Sequence, residues 1–292
     1  MLPSRAADHP LAPYRDSSAF DRAAAASATG TLEVAGLHRG VSVVILNLDK
    51  PELIIPLIDA LAQAQPVLAS AGLDLQVIIG DTGSTDPEVL AAYQQAPPVV
   101  EVVRDLKYQF SRSNNDAVRD RVRNELLVLL NNDVLLRSAE PLLALVEQFD
   151  QDPRLGAAGL VLDFPDGTLQ HAGVDVFRAG ELRGFCYHPG SGEAYVHTPG
   201  RSWDAVAATG AALMVRTEYF SAVGGLDEAY EKECQDVDLC LALRRLGLGV
   251  RVVDAGPLVH LENATRVRGE ESWEDRRLFT RRWDSFVEAT LL

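Results

Sequence analysis

Four largely apolar runs recur between positions 41 and 130: VSVVIL (41–46), LQVIIG (75–80), VVEVVR (99–104) and ELLVLL (125–130). Each has the length of a buried strand. None alternates polar and apolar positions, as a strand with one wet face would. Between the runs the spacing turns helical. Asp49, Lys50, Pro51 and Glu52 open the first such stretch, with Asp and Glu three apart as in a capping box. Leu53, Ile54, Leu57, Ile58 and Leu61 follow at helical intervals, and Pro56 is expected to kink the first turn. DTGSTD (81–86) is a polar turn before a short helix reaching about Gln95, and Ser111 is a candidate cap for a helix through Arg123. Strand and helix in alternation predict βαβ units and a mostly parallel central sheet flanked by helices, an α/β fold.

After about residue 150 the pattern loosens. Gly and Pro become frequent between 163 and 200, with short strand-like pieces such as LQHAGVDVF (169–177). AVAATGAALMVR (205–216) reads as a buried strand or strand pair, followed by a helix over 236–246 and a strand VRVVD (250–254). Residues 1–38 are rich in Ala, Ser and Pro and predict a loosely ordered arm, with one short helix around Ala19 to Ala26. Residues 39–268 read as one domain, in which 39–136 is the first, regular half and 137–268 an irregular second half. Residues 269–292 read as an amphipathic helix, with Phe279, Trp283, Phe286 and Val287 on one stripe and arginines beside it. That stripe suits packing on the domain, or docking to an anionic membrane surface or a second subunit.

The 292 residues carry a net charge of −15. That argues against a nucleic-acid partner, which rewards clustered Lys and Arg. Cys186, Cys234 and Cys240 make neither a metal spacing nor a disulfide framework and read as reduced thiols. No stretch approaches the roughly 18 apolar residues of a membrane span, and Pro3, Asp8, His9, Pro10 and Pro13 stand where a signal peptide needs an apolar core. A cytoplasmic setting is the expectation.

Polar residues gather where the strands end. Asp49 follows the first run, Asp81 the second and Asp133 the fourth. In a parallel sheet these ends share an edge, where open α/β folds bind ligands. Each Asp alone suits a turn or a cap. Three carboxylates in one crevice need a cation or hydrogen-bond donors to offset their repulsion, and a hard ion with oxygen ligands, Mg²⁺ or Mn²⁺, fits. Later, Asp236 and Asp238 open a helix with Leu239, Leu243 and Leu246 at helical spacing. The helix dipole is a sufficient structural reason for Asp238, whereas Asp236 lies on another side. His260 is followed by Glu262, Asn263, Thr265 and Arg266.

These motifs, in this order, resemble the family 2 glycosyltransferases, and more narrowly the bacterial rhamnosyltransferase-like group of surface-polysaccharide biosynthesis. VSVVILNLDKPEL resembles the family's opening strand and turn, DTGSTD its second turn, YQFSRSNN (108–115) its F-N-F-S-x-x-N-N segment and LLNNDV its form of the D-x-D metal motif. LQHAGV, TGAALMV, GGLDE, QDVDLCLALRRLG and HLENATR match later landmarks, so the resemblance runs from about Val41 to Arg268. The chain departs from the pattern at L-N-L-D-K in the first turn, and at Thr82, Gln109, Gln235, Ala264 and Thr265.

The resemblance implies a GT-A, Rossmann-like fold with a nucleotide-sugar half followed by an acceptor half. It implies a metal-dependent inverting transfer of a hexose, rhamnose or another, from a dTDP-, UDP- or GDP-sugar to a hydroxyl of a glycan or lipid-linked acceptor. On that pattern Asp133 and His260 hold Mn²⁺ or Mg²⁺, and Asp236 is the general base. Asp49, Asp81, Asn114, Asn115, Asn132, Arg266 and Arg268 contact the donor, the arginines because a guanidinium fork fits phosphate oxygens. A lipid-linked acceptor would set the protein peripherally at the inner face of the membrane. A non-catalytic nucleotide- or glycan-binding scaffold is the alternative, and it would be expected to have lost the base or the metal ligand. A sugar nucleotidyltransferase would need a Gly-rich loop after the first strand, and a dehydrogenase a G-x-G-x-x-G; neither is present.

Overall fold

A computed structural model of the chain describes residues 36–262 and 272–290. Most of the expected arm, its short helix, Arg266 and Arg268 lie outside the described residues.

β1 (His38–Asn47) is buried from Gly40 to Ile45 without alternation, because it pairs in parallel on both sides. Its neighbours are β2 (Asp74–Asp81) and β4 (Asn124–Asn131), and β3 (Val100–Val103) extends the sheet in parallel beyond β2. Parallel pairs require crossovers. α1 (Pro51–Ser70), α2 (Pro87–Gln94) and α3 (Phe110–Val118) supply them.

The second half continues the same sheet. After α4 (Glu140–Gln151) come β5 (Leu155–Leu160), the short β6 (Leu162–Asp163), β7 (Leu169–His171), β8 (Asp175–Val176) and β9 (Cys186–Tyr187), then β10 (Ser202–Asp204) and β11 (Ala212–Arg216). α5 (Thr217–Ala222), α6 (Gln235–Arg245), β12 (Gly249–Val253) and α7 (Trp273–Thr290) complete it. The eight-stranded sheet runs β10-β12-β5-β11-β4-β1-β2-β3, while β6 pairs with β7 and β8 with β9 outside it. β11 is antiparallel to both β4 and β5, and β5 is parallel to β12. The carboxyl ends of β1, β2, β4, β5 and β12 therefore share one edge. The antiparallel β11 begins at that same edge.

Alternate strand residues feed two cores. Val44, Ile78, Leu127 and Leu129 belong to the core that α3, α6 and α7 close, which also holds Trp283 and Phe279. Val43, Ile45, Val77, Ile79 and Val128 pack under α1 and α4.

Some local expectations are corrected. α1 is long and apolar enough to cross a membrane by length and composition, contrary to the sequence reading. Its Leu53, Ile54, Leu57, Ile58 and Leu61 are instead buried against the sheet. It runs through Pro56 and Pro66 as one helix. No capping box forms, because Lys50 is the left-handed N-cap and Asp49 bonds elsewhere. The N-cap of α3 is Gln109, whose side chain accepts from the Arg112 N–H, and not Ser111; α3 stops at Val118 rather than Arg123.

The stripe on α7 is spent within the chain, with Phe279, Trp283 and Val287 buried. Polar contacts fix its register. Asp275 accepts from the backbone N–H groups of Glu231 (3.1 Å), Lys232 (2.7 Å) and Glu233 (3.0 Å). Arg282 pairs with Asp227 at 2.6 Å, and Trp283 Nε1–H donates to Asp238 at 2.7 Å. Of the two alternatives for that stripe, the structure follows packing on the domain, since Phe279, Trp283 and Val287 are buried within the chain.

Candidate active site

β4 leaves the sheet at Asn131, and the Val134 N–H returns to the Asn131 carbonyl to close a tight turn. Asn132 and Asp133, inside that turn, are buried. The chain then meets the segment after β12: Leu135 N–H donates to Val259, and Leu261 N–H donates to Asp133 O. This short backbone zipper, with Val134 bridged to His260, brings the Asp133 and His260 side chains together. Asp133 Oδ1 lies 3.1 Å from His260 Nε2.

The other imidazole nitrogen is committed. His260 Nδ1 lies 2.7 Å from Gln170 Oε1, while Gln170 Nε2 donates to the His260 carbonyl at 3.3 Å. With the amide so oriented, Oε1 can only accept, so Nδ1 carries the proton. Nε2 of a neutral His260 then faces a carboxylate oxygen, lone pair to lone pair. A carboxylate beside an imidazole lone pair is a donor set that divalent Mn²⁺ accepts. Asn131 Nδ2 stands 3.3 Å from the same nitrogen. Among the described residues no cluster of three or more His, Cys, Asp or Glu could hold a metal. The two ligands therefore fit an ion that takes its remaining ligands from water and phosphate.

The other two strand-end carboxylates do not join this pair. Asp81 is fully buried and accepts from the Gly83 and Ser84 N–H groups, from the Tyr93 hydroxyl (3.2 Å) and from Arg104 Nε (3.0 Å). Asp49, at a φ of 52°, accepts from Asp86 N–H (2.8 Å) and Thr85 N–H (2.7 Å), which hold its pKa below the usual carboxylate range. The expected single crevice of three carboxylates is thus corrected: donors from the chain satisfy Asp49 and Asp81, and Asp133 alone faces the His260 nitrogen. Asn132 donates to Asn47 Oδ1 at 2.8 Å, and Asn47 donates to the Tyr93 hydroxyl at 2.8 Å. Asn132, Asn47, Tyr93 and Asp81 form a continuous chain across the ends of β4, β1 and β2.

The two asparagines of α3 are engaged with the protein. Asn114 Nδ2 donates to the Phe110 carbonyl at 2.9 Å. Asn115 clamps Leu226, donating to its carbonyl (2.8 Å) and accepting from its N–H (2.9 Å). Gly225, at a φ of 73°, must be glycine here, since a Cβ would run into Asn115 Oδ1. Asn115 thus reaches the loop before α6, on the acceptor-side half, and not the end of β2.

Asp236 occupies the first turn of α6 and is half-buried. Its Oδ2 accepts from the Gly210 N–H at 2.8 Å, just before β11. The Asn131 N–H in turn donates to the Ala211 carbonyl at 2.8 Å. The antiparallel course of β11 thereby brings the Asp236 carboxylate to the strand edge that carries Asp133. Asp238 is fully buried against Tyr230, Trp283 and Arg282, a structural placement.

Residues outside the predicted set complete the edge. Gln170 fixes His260, and His171 and His188 meet at 2.9 Å through their Nδ1 atoms. His197 bridges Asp163 (2.8 Å) and Asp254 (2.9 Å), tying the segment that leads to His260 onto β6. LQHAGV marked Gln170 and His171 as a landmark, but nothing in their spacing discloses which imidazole each one touches. His197 carried no signal.

No family model matches the chain. It is 34% identical over 236 residues to the O-antigen biosynthesis protein RfbC of Myxococcus xanthus, covering 77% of this chain and 18% of that protein. It is 33% identical over 215 residues to the uncharacterized protein y4gI of Sinorhizobium fredii (strain NBRC 101917 / NGR234), covering 72% of this chain and 23% of that protein. The chain thus spans about a fifth of the length of these curated relatives. Among solved structures, GalNAc-T7 with UDP, GalNAc and Mn²⁺ superposes with a TM-score of 0.62 at 11% identity, over 89% of this chain and 52% of that one. The mannosyltransferase PcManGT of Pyrobaculum calidifontis, in complex with GDP-Man and Mn²⁺, gives a TM-score of 0.56 at 15% identity, over 93% and 72%. The sheet order and these likenesses establish that the chain has the GT-A fold of the glycosyltransferases.

Proposed function

We propose that the chain is an inverting glycosyltransferase of polysaccharide biosynthesis, moving a hexose (rhamnose or another) from a nucleoside-diphosphate sugar to a hydroxyl of a glycan or lipid-linked acceptor. The observation that carries the reading is the pairing of Asp133 with Nε2 of His260 at the strand edge, 3.1 Å apart. Asp133 and His260 hold Mn²⁺ or Mg²⁺, which when bound neutralises charge on the donor diphosphate. RfbC is named for O-antigen biosynthesis, and GalNAc-T7 and PcManGT were crystallised with nucleotides and Mn²⁺, which supports both the pathway class and the ion.

Asp236 is the general base. It takes the proton of the acceptor hydroxyl as that oxygen bonds to the anomeric carbon. The bond from that carbon to the diphosphate oxygen breaks, and its electron pair leaves with the nucleoside diphosphate. One displacement inverts the configuration. The Gly210 N–H keeps one oxygen of Asp236 oriented. The nucleoside (of uracil, thymine or guanine) lies over the chain from Asn132 to Asp81, with Asp49 shaping the turn beside it. Asp81 and Asn115 act by positioning loops, and Arg266 and Arg268 remain candidates for the diphosphate. The three cysteines are free thiols, in keeping with action in the cytoplasm or at the inner face of its membrane.

Calorimetric titration of UDP, dTDP and GDP, with and without Mn²⁺, into wild type and Asp133→Ala tests the reading. One nucleotide is expected to bind only with the ion, and only to the wild type. Failure of all three to bind under every condition would remove the proposal.

A further inference from the structure

Two imidazoles beside the site have no part in the reaction as proposed. His171 follows Gln170 on β7 and is 1% exposed. Its Nδ1 lies 2.9 Å from Nδ1 of His188, which follows β9, and the rings meet edge-on at 71°. Two ring nitrogens at that separation share one proton. The backbone N–H of Thr209 faces the remaining nitrogen, Nε2 of His171, at 3.4 Å. That nitrogen accepts, so the proton of a neutral His171 sits on Nδ1 and is donated to His188. Burial first, then the neighbouring His188 and His260, hold the His171 pKa well below its ordinary value, which keeps the ring neutral. His188 Nδ1 is thereby used as an acceptor, and a neutral His188 keeps its own proton on Nε2. Unlike its buried partner, His188 is exposed. Gly210, next to Thr209, donates its N–H to Asp236 at 2.8 Å, so the backbone that holds the histidine pair also holds the base, and the charges of Asp236, Glu262 and His260 all act on the His188 ring.

We propose that His188 is an acceptor-binding residue, whose Nε2–H donates a hydrogen bond to a saccharide oxygen beside the hydroxyl that Asp236 deprotonates. The inference rests on the glycosyltransferase reading of the site. The chain from Thr209 through His171 to His188 fixes which nitrogen donates, so the ring enters the crevice as a neutral donor of defined direction. A sugar hydroxyl supplies the matching lone pair. A deoxy position there leaves the donor unpaired and binds less well. The two short strand pairs that carry these histidines, which lie outside the main sheet, thus select the acceptor.

The test begins with ¹⁵N-histidine NMR. Protons on His171 Nδ1 and His188 Nε2 are expected, and the reverse tautomers overturn the proposal. Saturation-transfer spectra are then recorded with the methyl glycosides of glucose, galactose, mannose and rhamnose at millimolar concentration. At least one is expected to show transfer to wild type. His188→Ala should weaken it about fivefold, which corresponds to one hydrogen bond, and His188→Gln, which keeps an N–H donor, should restore most of it. No signal with any glycoside, or equal signals in wild type and His188→Ala, overturns the proposal. Mn²⁺-dependent nucleotide binding is followed in parallel on all three proteins. Its absence from the wild type counts against the proposed function, while the tautomer and glycoside results still decide the placement of His188.

Discussion

At Asp236 and Gln170 a single atom decides the outcome. Asp236→Asn keeps the acceptor for the Gly210 N–H but cannot take a proton. Turnover is expected to fall by about 10²–10⁴-fold with nucleotide affinity unchanged, measured as nucleoside diphosphate released to a competent acceptor. Gln170→Leu removes the group that fixes the proton on His260 Nδ1. Groups in that position typically contribute about 10–100-fold to metal affinity, so Mn²⁺ binding should weaken by that factor in calorimetry, while the chain stays folded. Of these two residues the sequence singled out only Asp236, through its motif. Gln170 lies 90 positions before its partner, and a contact across that separation leaves no period or spacing to read. Asp81 and Asn115 show the converse limit. Their motifs flagged them, but composition could not tell a side chain that meets a ligand from one that holds the loop beside it.

At the scale of elements, the strands were readable because burial on both faces removes polar residues from the run, and β1, β2 and β4 fall within a residue or a few of their apolar stretches. Helix ends were less readable, since Asp49 and Ser111 suit caps equally well as turns. α7 shows what amphipathicity withholds: period gives the stripe, not what the stripe covers. In the structure it covers the second half and grips the loop before α6. Asp275→Ala leaves the N–H groups of residues 231–233 without their acceptor. A loss of about 1–3 kcal/mol is expected when such part-buried donors lose their partner, read as a lower urea midpoint. Because that loop sets the approach to Asp236, turnover should fall with it, although Asp275 touches no reacting atom.

Across the whole molecule, the His197 bridge ties the two halves of the edge to pH. Burial lowers the His197 pKa, but bonds to Asp254 and Asp163 outweigh it, and the pKa is raised above 6.5. A raised histidine adds stability that is complete below its unfolded value and fades as pH climbs through the folded one. His197→Asn should therefore cost about 3 kcal/mol at pH 6, and the gap to wild type should narrow toward pH 8, measured by urea unfolding at each pH. The parallel sheet was predictable from alternating strands and helices. The two halves of the one expected domain share that sheet, because β11 returns from the second half to lie directly against β4.

That return has a consequence for how the chain comes to exist. With β11 absent, β4 would present LLVLL as a bare apolar edge, the kind that recruits other chains. A fragment ending at 136 should accordingly sediment as aggregate, where the intact chain stays dispersed. During synthesis the first four strands emerge long before Ala212 to Arg216, so the open edge must be shielded or kept unformed until some 80 further residues have followed. Asp133, emerging early, waits longer still for His260, and the edge that joins them is among the last parts of the molecule to be assembled.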